Sequence, residues 1–191
     1  ALGMLQAARH LAGRRQQESI RPGLVRLERV RRAAQRMGTL IDDILELSRV
    51  TRLGMRRTSV DLSALARAIL DEHLRAAPEH AVKIVLAPDA AAYGDPQLLR
   101  VMMQNLLENA WKYSAKEPSP KIEFGCCMEN GERVFHVRDN GVGFDMQYAD
   151  RLFAPFQRLH KPEDFEGTGI GLATVARVVH RHGGRVWAES S

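Results

Sequence analysis

Asn105, Asn109 and Lys112 are spaced by four and three residues, which puts two carboxamides and one ammonium on a single helical face. The stretch that carries them, LLRVMMQNLLENAWKYS from Leu98 to Ser114, is otherwise largely apolar. Such a polar stripe is costly unless something polar sits on it. A magnesium nucleotide would satisfy it, with amide oxygens for the metal and a cation for phosphate. A core helix with a solvated edge accounts for the same pattern.

Two glycine-spaced segments widen the comparison. Asp139-x-Gly141-x-Gly143 follows a run of strand-like residues. Two glycines let the backbone turn and approach a flat ligand, and a carboxylate can accept from an exocyclic amine. Gly167-x-Gly169-x-Gly171 precedes a helical pattern, where backbone N–H groups and a helix N-terminus could cradle phosphate. A dinucleotide-binding turn would need a strand before it, and Glu163-Asp164-Phe165-Glu166 does not read as one. Each signal is weak alone; the three in this order are strong together.

The elements that must position these residues follow from periodicity. Residues 2–18 carry Leu2, Leu5 and Leu11 at helical spacings, and Arg21-Pro22-Gly23 reads as a turn. From Leu24 to about Arg49, Leu27, Val30, Ala34, Met37, Ile41 and Ile44 alternate by three and four, a heptad seam. The pair reads as a helical hairpin, which a second copy would complete into a four-helix bundle; a hairpin packed on its own C-terminal domain is the alternative. Arg52 to Arg57 reads as a linker. Asp61 is the expected N-cap of a helix that ends before Pro78, and residues 81–86 read as a strand. Asp95 and Pro96 open the Leu98–Ser114 helix as N-cap and first position. Residues 121–128 and 133–138 flank Asn130-Gly131 as a β-hairpin, and a helix from Leu172 to about His182 is stopped by Gly183-Gly184. Arg185 to Ala188 should begin another strand. The fold class is therefore α+β, a helical hairpin followed by an α/β sandwich with one mixed sheet.

Composition bounds the function. A chain of 191 residues, 45% hydrophobic, holds one large or two small domains. It has no apolar run long enough to span a membrane and no signal-peptide pattern. Adjacent Cys126 and Cys127 provide no disulfide framework and fit a reducing, cytoplasmic setting. The net charge of +5 is uneven: residues 1–57 hold 13 Arg and no Lys against 5 acids, and the remainder is mildly acidic. The basic part contains no Phe, Tyr or Trp, so it reads as solvated helix faces, not as a nucleic-acid surface.

The motifs resemble those of the sensor histidine kinases. QNLLENAWKYS (104–114) looks like their N box, RDNGVGFD (138–145) like the G1 box, LFAPFQRLH (152–160) like the F box and GTGIGLA (167–173) like the G2 box. AAQRMGTLIDDILELSRV (33–50) is similar to the second helix of their dimerisation and phosphotransfer domain, and RLHKPEDFEGTGIGLA looks most like the phytochrome-related subgroup. The resemblance implies a dimerisation and phosphotransfer hairpin at 1–52, a linker at 53–57 and an ATP-binding domain at 58–191, its last strand missing. It implies ATP and Mg2+ as cofactors, a homodimer through the hairpin, and a response regulator receiver domain as partner. Neither nucleic acid nor membrane contact is implied.

Carried over residue by residue, Asn109 would ligate magnesium and Asn105 would support the metal or a phosphate. Lys112 and Tyr113 would contact phosphate and ribose. Asp139 would accept from the adenine amino group, in a pocket shaped by Gly141 and Gly143. Gly167, Thr168, Gly169, Gly171 and Leu172 would line the phosphate site. Phe156 and Arg158 would lie in or beside the mobile lid, and His160 and Lys161 would reach towards phosphate. Hydrolytic relatives of this fold carry Glu four residues before the metal-binding Asn. Here that position is Asn105, and Glu108 lies about 100° around the helix from Asn109, so transfer to a protein acceptor is favoured over attack by water.

The sequence departs from the family at the phosphoacceptor. His10 is followed by Leu11 and Ala12, without the acidic neighbour the family places there, so the acceptor is expected upstream of Ala1. A non-kinase ATPase of the same fold and a scaffold or pseudokinase dimer with a regulatory nucleotide site remain the alternatives. The expected behaviour is binding of magnesium-ATP without self-labelling. Radiolabel from γ-labelled ATP on His10 would overturn it.

Overall fold

The computed structural model of the chain describes residues 2–52, 54–161 and 164–190, with side chains from Arg26 onward. It divides into two compact units, Ala1–Asp42 and Asp43–Ser191. The first unit is helical. Helix α1 (Leu2–Arg52) runs without interruption through Arg21-Pro22-Gly23, so the expected turn and hairpin are replaced by one continuous helix. A proline inside a helix forfeits one main-chain hydrogen bond, and the helix formers on both sides carry the backbone past it. Its seam is uncovered: Leu27, Val30, Met37 and Ile41 are each more than half exposed. His10 and Leu2, Leu5 and Leu11 lie outside the residues whose side chains are described.

In the second unit, strand β1 (Thr58–Asp61) leads into helix α2 (Leu62–Ala76), capped by Asp61 Oδ1 on the amide of Ala64 at 2.9 Å. Strands β2 (Lys83–Leu86) and β3 (Ala91–Gly94) precede helix α3 (Pro96–Ser114). Strands β4 (Lys121–Glu129) and β5 (Glu132–Asp139) form the expected hairpin, and Asn130 and Gly131 both take positive φ, the geometry such a two-residue turn demands. A 3-10 turn (Met146–Arg151) and helix α4 (Gly171–Arg181) complete the unit.

The strands form two sheets where one was expected. β1 pairs antiparallel with β3, while β2, β4 and β5 form a separate sheet with β2 parallel and β5 antiparallel to β4. β3 is short and mostly Ala and Gly, too weak a pattern to be read as a strand. Arg185 to Ala188, expected as a strand, has no strand structure among the described residues. A strand exists only through its ladder, and Arg185 meets β5 through a side-chain contact to Glu132 at 3.5 Å, not through the main chain.

Helices α2 and α3 bury one stripe each against the three-stranded sheet. Leu62, Ala66, Ile69 and Leu70 of α2 meet Leu99, Met103, Leu107 and Ala110 of α3, with Ile122 and Phe124 of β4 beneath them. Ile122 and Phe124 are two apart, so both point to the same side of the sheet. A smaller cluster joins Val50, Leu98 and Val178, which brings the end of α1 against α3 and α4.

Asp95 fixes where α3 starts. Its Oδ1 accepts from the amides of Gln97 and Leu98 at 3.0 and 3.1 Å, and its Oδ2 from that of Arg56 at 2.8 Å. Its own amide donates to His182 Nε2 at 3.0 Å, and His182 Nδ1 lies 2.8 Å from the carbonyl of Val178 in α4. Burial alone would raise the carboxyl's pKa, but the donors from Arg56, Leu98 and Gln97, with His182 nearby, outweigh it and hold the group below the ordinary 3.8. Asp95→Ala should therefore cost about 1–2 kcal/mol in urea unfolding, with Asp95→Asn recovering only part of it, because a carboxamide has one acceptor oxygen where the carboxylate uses two. Because the folded pKa is the lower one, the carboxylate's contribution is complete above the unfolded value and is lost as pH falls through the folded value. The difference between wild type and Asp95→Ala should accordingly persist at neutral pH and shrink below about pH 4.

Candidate nucleotide site

The polar row of α3 stands on the side of the helix away from its buried stripe. Lys112 Nζ donates to Asn109 Oδ1 at 3.2 Å and lies 4.3 Å from the centre of the Tyr113 ring. Asn105 Nδ2 donates to the carbonyl of Val101 at 2.9 Å, one turn back. That bond turns Asn105 Oδ1 onto the start of α4, where a Cβ placed on Gly171 would come within 2.5 Å of it. A Cβ on Gly167 would lie 3.4 Å from Lys112 Nζ. The glycine segment from 167 to 171 thus lies along the row from Lys112 to Asn105, and both face one crevice.

The chemistry of that crevice suits an anion. Ile170, at the N-cap of α4, supplies no side-chain acceptor, so the helix opens with donors its own cap leaves unmatched. Gly167 and Gly169 take φ of +149° and +77°, and on Gly169 a Cβ would meet the carbonyl oxygen of Gln157 at 2.8 Å. Only glycine combines that conformation with that contact. The donor set also fits a dication shared with an anionic ligand. Asn109 Oδ1 keeps a second lone pair beside its bond to Lys112. Among the described residues no group of three or more His, Cys, Asp or Glu could hold a metal ion. A magnesium ion here would therefore draw its remaining oxygens from phosphate and water, as it commonly does.

The second glycine segment closes against the C-terminal end of α3. The amide of Gly141 donates to Asp139 Oδ1 at 2.9 Å, and that of Val142 to the carbonyl of Tyr113 at 3.4 Å. A Cβ on Gly141 would lie 2.4 Å from that carbonyl oxygen. Gly143 has φ +60°, and the next amide, Phe144, donates to Ser190 Oγ at 2.9 Å. Burial of the Asp139 carboxyl raises its pKa against the pull of the Gly141 amide. The residue as a whole still has open surface, so this crowding comes from one side. A carboxylate so placed can accept a hydrogen bond from a ligand amine and is neutralised by acid sooner than an ordinary Asp.

Between the glycine segments runs an irregular stretch with its own fastenings. The amide of Phe156, at φ +63°, donates to the carbonyl of Gly169 at 2.9 Å, while the residue is 60% exposed. Arg158 Nη2 donates to the carbonyl of Phe165 at 2.6 Å, which turns it away from a free anion-binding pose. His160, read from sequence as a phosphate contact, packs with Tyr113 and Phe165, the three ring centres 5.0–5.4 Å apart. Lys116 lies 4.5 Å over the Phe165 ring. Leu172, second residue of α4, is partly buried.

The structure therefore gathers Asn105, Asn109, Lys112, Gly167 and Gly171 in one place, and Tyr113, Asp139 and Gly141 beside it. Sequence reasoning missed Phe165, Ser190 and Asp43, whose Oδ2 accepts from the hydroxyl of Thr168. All three are tertiary contacts between distant segments, without a local pattern to announce them.

The chain is similar to known proteins in sequence and in fold. The family described as histidine kinase-, DNA gyrase B- and HSP90-like ATPase matches residues 94–191. Cyanobacterial phytochrome A of Nostoc sp. is 38% identical over 81% of this chain and 20% of its own length. Sensor histidine kinase CpxA of Escherichia coli is 31% identical over 86% of this chain and 36% of its own. The chain thus spans about a fifth to a third of these relatives. Among solved structures, the mycobacterial sensor histidine kinase MprB is 26% identical with a TM-score of 0.57, covering 69% of this chain and 84% of that one. Full-length ShkA in complex with AMPPNP, 24% identical with a TM-score of 0.66, covers 84% of this chain and 35% of that one and shares the fold.

The close approach of Gly141 to Tyr113 can be tested without any ligand. Gly141→Ala should lose about 1–3 kcal/mol in urea unfolding, since backbone must move to admit the methyl. Gly54→Ala, where a Cβ meets nothing within 4 Å, should be neutral or slightly stabilising. Equal stability of the two variants would contradict the geometry described.

Proposed function

The chain belongs to the histidine kinase-, DNA gyrase B- and HSP90-like ATPase family, as the catalytic core of a sensor histidine kinase, and from that premise we propose that it binds magnesium-ATP for phosphoryl transfer to a histidine and onward to a response regulator aspartate. The observation that carries the reading is the carboxamide at position 105. No carboxylate stands four residues before Asn109 to activate water. Glu108 is engaged elsewhere, its Oε1 accepting from Gln104 Nε2 at 3.0 Å.

In this reading Asp139 accepts from the adenine amine, and Tyr113, with Gly141 and Gly143, borders the base and ribose. Lys112 and the amides of the Gly167–Gly171 segment hold the triphosphate, with Thr168 donating its hydroxyl and Leu172 beside them. Asn109, with Asn105 in support, would hold a magnesium ion, which would supply charge neutralisation to the triphosphate. The γ-phosphorus forms a bond to an imidazole nitrogen as its bond to the β-γ bridging oxygen breaks, ADP leaves, and the imidazole proton passes to a neighbouring base. A loose transition state asks little covalent chemistry of the protein, so positioning and fixed charges suffice. The AMPPNP held by a protein of the same fold supports the nucleotide reading.

We assign residues 1–52 to dimerisation and phosphotransfer, 53–57 to a hinge and 58–191 to nucleotide binding. The exposed row of Leu27, Val30, Met37 and Ile41 supports a homodimer through α1. Among the described residues no helix is long and apolar enough to cross a membrane.

Asn109→Ala should weaken ATP binding about tenfold or more in calorimetry with magnesium present, and less without it. Unchanged affinity in magnesium would remove Asn109 from the site.

A further inference from the structure

The hydroxyl of Thr168, in the middle of the glycine segment, donates to Asp43 Oδ2. Asp43 lies on the end of α1 that belongs to the same compact unit as the nucleotide crevice. That end is fastened independently. Val50 is 2% exposed beside Leu98 and Val178, Arg177 Nε donates to Thr51 Oγ1 at 3.3 Å, and Arg181 donates to the carbonyl of Val50. One turn beyond Asp43, Glu46 is partly covered, and its carboxyl is pushed up first by burial and then by the charges of Asp43 and Glu108, against Arg49. Of these carboxylates, Asp43 is the one bonded to the glycine segment.

A threonine hydroxyl has one proton to give. A fully ionised phosphate oxygen accepts and does not donate, so Thr168 can serve Asp43 or a phosphate but not both. A triphosphate brought to the crevice would also face the negative charge of Asp43. We propose that the last turns of α1 form an autoinhibitory clamp in which Asp43 occupies the phosphate-binding hydroxyl of Thr168, so that α1 seated on the crevice and nucleotide bound in it exclude one another. This rests on the reading of Thr168 as a phosphate contact. Because coupling between two events is reciprocal, a movement of α1 that withdraws Asp43 raises nucleotide affinity, and nucleotide binding in turn loosens the end of α1.

The test is calorimetry of the whole chain with magnesium-ATP and, separately, with adenosine, which lacks phosphate. Asp43→Ala should tighten ATP binding about threefold to tenfold, the range expected when one hydrogen bond to a charged group no longer has to be displaced, and leave adenosine unchanged. Asp43→Asn, which keeps an acceptor but loses the charge, should fall between wild type and Asp43→Ala and guards against a folding artefact. In a Thr168→Val background the Asp43→Asn and Asp43→Ala gains should shrink, because the shared proton is gone. Equal ATP affinity in wild type and both Asp43 variants, with adenosine still bound, overturns the clamp and leaves the nucleotide site standing. Failure of every variant to bind either ligand overturns both.

Discussion

A buried carboxylate is tolerable only if its lone pairs are met, and Asp95 meets this condition by tying three separate segments together. Its oxygens take the first amides of α3 and the amide of Arg56, and its own amide reaches His182 after the end of α4. The start of α3, the chain entering from α1 and the far end of α4 are thereby set by a single residue. Gly94 belongs to the same knot, since a Cβ there would strike the His182 ring at 2.7 Å. The polar row of α3 could face the first turn of α4 only if the rotation of α3 about its own axis were fixed, and its cap and its buried stripe do that between them.

With α3 held, the crevice is built largely by leaving atoms out. Gly141 lets the end of β5 lie against the Tyr113 carbonyl, Gly171 lets α4 begin at the Asn105 amide, and Gly169 lets the segment before α4 pass the main chain at Gln157. Each close approach leaves out a side chain and lets main chain, which cannot titrate, line the crevice. The charged groups bonded into it include Lys112 on one wall, Asp139 at the end of β5, and Asp43, on the end of α1, against Thr168. That division, amides and one ammonium inside with carboxylates at the border, suits a site that must hold a polyanion and also release it.

The helix that carries the site was legible because its signals are local. Asp95-Pro96 marks a start, and the apolar spacing runs on to Ser114, which is where α3 ends. The Asn130-Gly131 hairpin was legible for the same reason. Other expectations failed where the deciding partner was remote. Pro22 and Gly23 read as a turn, yet nothing nearby compels the chain to fold back, and α1 continues. β3 had too little side chain to be noticed and exists through its pairing with β1. Arg185 to Ala188 has the composition of a strand without a ladder among the described residues.

The sequence by itself determined which residues could do the chemistry, since spacing along a helix and glycine along a loop are properties of neighbours in the chain. It determined that the three motifs belong to one kind of site. Only the tertiary structure decided what each side chain touches. His160 became part of an aromatic cluster with Tyr113 and Phe165, Arg158 was spent on a carbonyl, and Asn105 was turned towards α4 by its bond to Val101. The same is true of Thr168 and Asp43, 125 residues apart. A hydroxyl carries no mark in the sequence of the acceptor it will find, because that choice is made by the packing of α1, α3 and α4 around Val50, Leu98 and Val178.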